Sequence, residues 1–295
     1  MQKTGGISEK PMTGHDLYSC DKLAIGILVV FGSILIAGSG RGVESFSFGL
    51  LHLLFAGLIW WLATRELANG FLQGMRYIYP VILLAIIHYD VGYFIPMIYG
   101  EGNTFDAEVK NWEADLLGSN PHLHLHALIP QPFWVEVIHF FYLTYYPILV
   151  GSLIWIWLYR AEDFPRFAFV YMGMFLTFVL IFTLFPVIGP LDCRDGLFDE
   201  KSVLAGVIDF LFYVGAPDGA AFPSSHVGQS VGVFMLLRPM SRQIQILLTV
   251  CILGIGFSMV YGSIHYTVDA IAGLIAGLAF FFLWNSVYRK YFASS

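Results

Sequence analysis

The stretch Ala221-Phe222-Pro223-Ser224-Ser225-His226-Val227-Gly228 sets two serines and a histidine directly after a proline. Further on, Ser258 is followed by His265-Tyr266-Thr267-Val268-Asp269. A Pro-Ser-Ser start offers hydroxyls and unpaired N–H groups at a helix N-terminus, where an anion is favoured. A histidine and an aspartate four apart share one helix face. The carboxylate can then hold one ring nitrogen, fix the tautomer and raise the nucleophilicity of the other. A second histidine across the site can protonate a leaving oxygen. Phosphoryl transfer asks mainly for such positioning and for donors around the developing charge. Each motif alone is ordinary, since His-x-x-x-Asp is often a helix-end hydrogen bond and Pro-Ser-Ser a common helix start. Their conjunction on one face of a membrane is what singles them out.

These residues resemble two signatures of the type-2 phosphatidic acid phosphatase superfamily. Pro223-Ser224-Ser225-His226-Val227-Gly228 looks like its second, and Ser258 with His265 and Asp269 has the spacing of its third. The resemblance covers residues from about 133 to 288 and implies an all-α transmembrane bundle with a six-helix catalytic core. It implies His265 as the nucleophile that becomes a phosphohistidine, Asp269 as its orienting partner and His226 as the proton donor. Ser224, Ser225, Gly189 and Arg194 are the expected phosphate-binding residues, and the chemistry requires no metal and no cofactor.

The departures point to a subgroup. Met259 stands where the phosphatases carry an arginine after the third-signature serine. Their basic first signature is replaced by Phe185-Pro186-Val187-Ile188-Gly189-Pro190, a pattern similar to inositol phosphorylceramide synthases. His265-Tyr266-Thr267-Val268-Asp269 also resembles the matching segment of sphingomyelin synthases, and Asp115-Leu116-Leu117-Gly118-Ser119-Asn120-Pro121 fits the subgroup more weakly. A phosphate monoester carries nearly two charges at neutral pH and a diester one, and each charge in a partly dry site wants a cation. A pocket short of cations therefore suits a diester donor, unless Arg194 or Lys201 restores the charge. The expected partners are a lipid phosphate or phospholipid donor and a lipid hydroxyl or water acceptor, so transferase and phosphatase both stay open.

The elements that must position these residues read as membrane spans. Of 295 residues, 57% are hydrophobic and only 12% charged, with mean hydropathy +0.71; a soluble domain carries about 25% charged residues. A span needs roughly 20 apolar residues, and eight candidates emerge near 23–39, 46–64, 77–98, 133–158, 166–186, 224–239, 244–262 and 267–288. The first and sixth are short, and Pro147 should kink the fourth. Eight spans leave Arg41, Lys110, Arg194 and Lys201 on one side and every other basic residue on the opposite side. The positive-inside rule then places both termini in the cytoplasm and both histidine segments on the non-cytoplasmic face. The first twenty residues are polar and mixed in charge, so the first apolar segment is expected to be retained rather than cleaved. The absence of any Asn-x-Ser/Thr sequon is compatible with a bacterial inner membrane. The chain thus divides into an N-terminal tail with accessory helices (1–98), an outer loop (99–132) and a catalytic core (133–295). Within the core, the apolar piece 203–214 is too short to span and should lie flat at the interface or pack over the helices.

Other signals carry less. Cys20, Cys193 and Cys251 are scattered with neither disulfide nor zinc spacing. A net charge of −6 with no basic run excludes nucleic-acid binding. His122, His124 and His126 would share one face if extended, a possible zinc site or simply an interfacial segment dipping its leucines into lipid. His88 and Asp90 in the third span and Glu136 and His139 in the fourth read as a cleft lining, a proton path or internal hydrogen bonding. Gly273-x-x-x-Gly277 permits close helix packing, and Gly38-Ser39-Gly40-Arg41-Gly42 lacks the strand a nucleotide loop needs. A transporter would spread its polar groups along the spans and repeat between halves; this sequence does neither. A catalytically dead scaffold is disfavoured because His226, His265 and Asp269 are all intact.

Overall fold

The structure is a computed structural model that describes residues 17–38, 42–65, 70–100, 102–194, 196–198, 202–215 and 217–293. Lys3, Lys10, Ser39, Gly40, Arg41 and Lys201 lie outside the described residues. Those described are all-helical, with no strand. Three long helices come first, α1 (Ser19–Ala37), α2 (Val43–Ala63) and α3 (Gly70–Tyr99). The outer segment then folds as α4 (Asp106–Leu117), a 3₁₀ turn (Pro121–Leu123) and the single turn α5 (Leu125–Leu128). The core follows as α6 (Pro132–Leu143), α7 (Tyr145–Tyr159), α8 (Phe164–Leu184), α9 (Val203–Gly215), α10 (Ser225–Leu236), α11 (Arg242–Tyr261) and α12 (Thr267–Tyr291).

Seven segments are long and apolar enough to cross a membrane, with Pro132–Tyr159 counted as one. Their outward faces carry exposed Leu54, Trp60, Leu253, Ile275 and Phe282. In water such faces would be a liability, and in lipid they are solvated. The chain is therefore an integral membrane protein. α8 is the central post: α1, α3, α10 and α12 all pack on it, and most of its side chains are buried.

The fourth span breaks between α6 and α7 at Thr144. Pro147 sits in the first turn of α7, and its ring would clash with the Leu143 carbonyl if one helix ran through. The break aims Tyr142 and Tyr145 differently from a straight helix, and both end up beside His226 (below).

The sixth expected span, α10, has only 12 residues, about 18 Å at the helical rise where a crossing needs about 30 Å. Its packing explains the shortfall. α10 and α11 form an antiparallel hairpin, joined at one end by Arg238 and Met240 to Gln245. At the other end the Ser224 hydroxyl meets the Met259 sulfur at 3.4 Å. Against α12, a Cβ on Gly273 would lie 2.4 Å from the Ser224 carbonyl oxygen, and one on Gly277 2.6 Å from that of Gly228. Ser224 thus lies level with Gly273, roughly 9 Å below the start of α12 at its helical rise. α10 begins inside the bundle rather than at its end, so the site is sunk.

α9 is a short helix with Ala205 and Ile208 buried and Phe210, Tyr213 and Val214 exposed. The outer segment differs from an extended one. His122 is buried in the 3₁₀ turn while His124 is exposed and His126 only half-buried, so the three imidazoles do not share a face. Among the described residues no group of three His, Cys, Asp or Glu is placed to hold a metal.

The glycine contacts give a paired test. Gly277→Ala drives a Cβ into a backbone carbonyl that cannot swing aside, and should cost about 1–3 kcal/mol in detergent unfolding. Gly26→Ala on exposed α1 meets nothing within 4 Å and should gain roughly 0.5–1 kcal/mol.

Candidate active site

α10 starts where Ser224 caps it, the hydroxyl accepting the Val227 N–H at 3.5 Å. His226 follows in the first turn. α12 starts after Tyr266, and Asp269 in its first turn accepts the Tyr266 N–H on Oδ2 at 2.9 Å. The same oxygen lies 3.2 Å from His265 Nδ1. Asp269 is fully buried and His265 nearly so. The predicted His–Asp pair is therefore also a helix cap, and His265 keeps its Nε2 free of that bond.

His226 and His265 face each other with ring centroids 6.1 Å apart at 72°, a spacing at which both can address one phosphate group. Two tyrosines that sequence reasoning did not single out hold His226. Tyr142 Oη lies 3.2 Å from its Nε2, and the Tyr145 ring packs on the imidazole at 4.3 Å. Tyr142 and Tyr145 precede and follow the α6–α7 break, so their convergence depends on a kink whose direction no motif announces.

His226, His265 and Ser225 line one end of a cavity of about 560 Å³. Apart from these the chamber is walled mostly by Leu, Val, Phe and Tyr; it includes Asp218 but no lysine or arginine among the described residues. Ser224 and Ser258 are fully buried beside it. The Ser224 hydroxyl is turned to Met259 and Val227, and that of Ser258 has no hydrogen-bond partner among the described residues.

Two expected phosphate ligands are engaged elsewhere. Gly189 has φ +87°, and a Cβ there would lie 2.5 Å from the Ile264 carbonyl oxygen, so the position needs glycine. Its N–H donates to Asp106 Oδ1 at 2.8 Å, and the Ile188 N–H donates to Oδ2 at 3.0 Å. Glycine here serves the close approach of the first-signature loop to the His265 turn. Arg194 is buried, donating to Asp209 (2.6 Å) and the Gly262 carbonyl (2.6 Å). Its guanidinium braces the end of α11 and is not among the residues lining the chamber.

The outer segment proves to be part of the site's frame. Ser263, in the turn that carries His265, holds a left-handed φ of +52°, costly for a residue with a Cβ. Its hydroxyl donates to the His122 carbonyl at 3.1 Å. His122 Nδ1 meets Glu113 at 2.9 Å, and Glu113 accepts the Thr267 N–H at the N-terminus of α12. Glu113 and His122 lie on separate elements, and only the fold brings them together.

Fold and site together define a membrane-embedded protein with paired histidines of the phosphoryl-transfer kind. A family model described as the PAP2 superfamily matches residues 107–283, more than half of the chain, and the chain belongs to that superfamily. Its activity is thus of phosphatase or phosphotransferase type. No curated protein and no solved structure matches the chain.

Burial pushes the Glu113 carboxyl up, but the bonds from His122 and the Thr267 amide outweigh it and hold the group below its ordinary value of 4.5. A carboxylate depressed on folding contributes stability above its unfolded value and loses it as the pH falls through the folded one. Wild-type stability should therefore decline as the pH drops below about 4.5. Glu113→Gln should be less stable at pH 7 and lose that part of the decline, as read by melting temperature against pH.

Proposed function

We propose that this protein transfers a phosphoryl or phosphoalcohol group between lipids, in the manner of the inositol phosphorylceramide synthase subgroup, through a phosphohistidine on His265. The observation that carries the reading is the charge-poor chamber at whose end the two histidines meet, lined by no lysine or arginine among the described residues and including one aspartate. A dianionic monoester would enter it without a countercharge, whereas a diester brings a single charge. Met259, fully buried where the phosphatases place an arginine, points the same way.

In this mechanism His265 donates Nδ1–H to Asp269 and attacks phosphorus with the Nε2 lone pair. The bond to the leaving alkoxide breaks, and His226 supplies the proton that makes it an alcohol. A lipid hydroxyl then gives its proton back to His226 and attacks the phosphohistidine, breaking the N–P bond and regenerating His265. Tyr142 and Tyr145 hold the His226 ring through both steps. Ser225, at the start of α10, is the hydroxyl best placed to meet the phosphate oxygens. Counting the α10–α11 hairpin as two crossings, so that eight segments pass through the membrane, we further assign the site to the non-cytoplasmic face, with both termini cytoplasmic, from the distribution of basic residues.

A lipid phosphate phosphatase would use the same residues and let water resolve the intermediate. The apolar walls favour the transferase, since excluding water protects the phosphohistidine until a lipid hydroxyl arrives.

The test uses purified protein in nanodiscs with phosphatidylinositol plus ceramide or diacylglycerol, and separately with phosphatidic acid. The expected outcome is a new phosphodiester lipid with ceramide, or exchange of labelled diacylglycerol into phosphatidylinositol, lost in His265→Ala and slowed roughly 10²–10⁴-fold in His226→Ala. Free phosphate from phosphatidic acid with no transfer product would make the protein a phosphatase. Turnover should survive EDTA, because no step proposed here runs through a metal.

A further inference from the structure

The chamber has a wall that the family segment does not supply. α3 ends before residue 107, where the family match begins, yet its Val81, Leu84, Ala85 and His88 line the same cavity as His226 and His265. These four fall on one stripe of α3 at helical spacing. α3 approaches the site end through Tyr99, whose hydroxyl donates to the Leu184 carbonyl at 2.6 Å. His88 is therefore nearer the site, and Val81 lies about 10 Å deeper along the helix. Leu149 of α7 lines the same cavity, and Phe175 of α8 sets its ring 5.9 Å from that of His88.

His88 stands apart from the histidines that hold the fold together. Nδ1 of His52 is bonded to the Phe48 carbonyl, that of His122 to Glu113 and that of His139 to the Val135 carbonyl. Neighbouring Asp90 is taken by His52 at 2.9 Å. His88 Nδ1 is buried with no hydrogen-bond partner among the described residues, a condition shared by His126 and His226. Of those three, His88 and His226 line the chamber. A buried polar atom left unmatched is unfavourable unless something arrives to pair with it. The cavity that His88 lines is about 560 Å³ and mostly apolar, within the range of small-molecule sites.

We propose that His88 is a lipid-binding residue that hydrogen-bonds the hydroxyl or amide at the polar junction of the acceptor lipid, whose tails lie along α3 toward Val81 and Leu149. This rests on the transferase reading and names its acceptor: a neutral lipid with a hydrogen-bonding group where the chains meet, drawn into the protein rather than left in the bilayer. In either tautomer an imidazole offers one donor and one acceptor, which matches a hydroxyl or an amide.

The experiment compares wild type with His88→Phe, which keeps a ring and loses the hydrogen bond, and with His88→Gln, which keeps a donor and an acceptor. Nanodisc protein receives phosphatidylinositol with radiolabelled ceramide or diacylglycerol, and phosphohistidine formation is followed separately in a single turnover without acceptor. In His88→Phe the acceptor KM should rise about tenfold, the scale of one lost buried hydrogen bond, with phosphohistidine formation within about twofold of wild type. His88→Gln should recover most of the loss. A defect confined to ceramide would assign the amide, and an equal defect for both acceptors the hydroxyl. An unchanged acceptor KM in His88→Phe would overturn the proposal, as would equal loss of phosphohistidine formation in both variants. Should wild type form no transfer product at all, the transferase reading falls, and equilibrium binding of the same labelled lipids decides His88 alone. Weaker binding in His88→Phe would sustain it as a lipid-binding residue, and equal binding would refute it.

Discussion

A carboxylate buried at the head of a membrane helix must be met by donors, and Asp269 gathers its contacts on Oδ2 while Oδ1 has no hydrogen-bond partner among the described residues; those contacts tie the site together. Its Oδ2 takes the Tyr266 N–H that begins α12 and lies against His265 Nδ1. Its main-chain carbonyl accepts the Ser224 N–H at 3.0 Å, which fixes the start of α10 against α12. One residue thus caps a helix, orients the proposed nucleophile and sets the position of the segment that carries the opposing histidine. The capping role offsets part of the cost of burying the carboxylate, since an acid in the first turn of a helix is stabilising.

From that anchor the depth of the site follows. With Ser224 fixed beside Asp269, α10 must descend along Gly273 and Gly277, where only glycine lets the backbones come so close. The chain passes the first turn of α12 before α10 begins, so the histidines open onto an apolar chamber rather than onto the membrane surface. α6 and α7 then complete the pocket through their break at Thr144, which brings Tyr142 and Tyr145 to the His226 ring. Ahead of α6 in the chain, Glu113 and His122 grip the N-terminus of α12 and the strained Ser263 turn. α4 and the 3₁₀ turn therefore buttress the His265 loop, although they precede the helices of the core.

What was legible in the sequence was what rests on local rules. Helical spacing put His265 and Asp269 on one face, long apolar runs gave the spans, and Pro-Ser-Ser marked a helix start. α10 was legible as a helix but not as a short, sunken one, because its depth is set by glycine contacts with a helix many residues away. Tyr142 and Tyr145 looked like any aromatic in a lipid-facing segment until the α6–α7 break turned them inward. The 122–126 histidines misled for the opposite reason. Their alternation with leucine suggested a shared face, but Pro121 starts a 3₁₀ turn that buries His122 alone. Arg194 and Gly189 lie near the site by sequence and were expected to bind phosphate, yet Asp209 and Asp106 occupy the groups in question. Proximity of a cation in sequence says little when a carboxylate elsewhere in the fold is free to take it.

The same charges bear on how such a pocket could choose its substrate. A site that gathers arginines binds any phosphate well and gives up selectivity, because cationic groups reward charge irrespective of what is attached to it. Here Arg194 faces Asp209 and the Gly262 carbonyl, Asp218 sits in the chamber lining, and the polar groups along the wall are imidazoles, hydroxyls and phenols. Recognition would then fall mostly on the apolar length of the lipid and on a few hydrogen bonds. Neutral donors in a dry cavity discriminate by geometry, since each bond missed leaves a buried group unmatched. On the proposed reading, such a pocket would favour ligands that arrive through the membrane with a single charge or none over water-borne phosphate, which would shed its hydration shell without finding a countercharge.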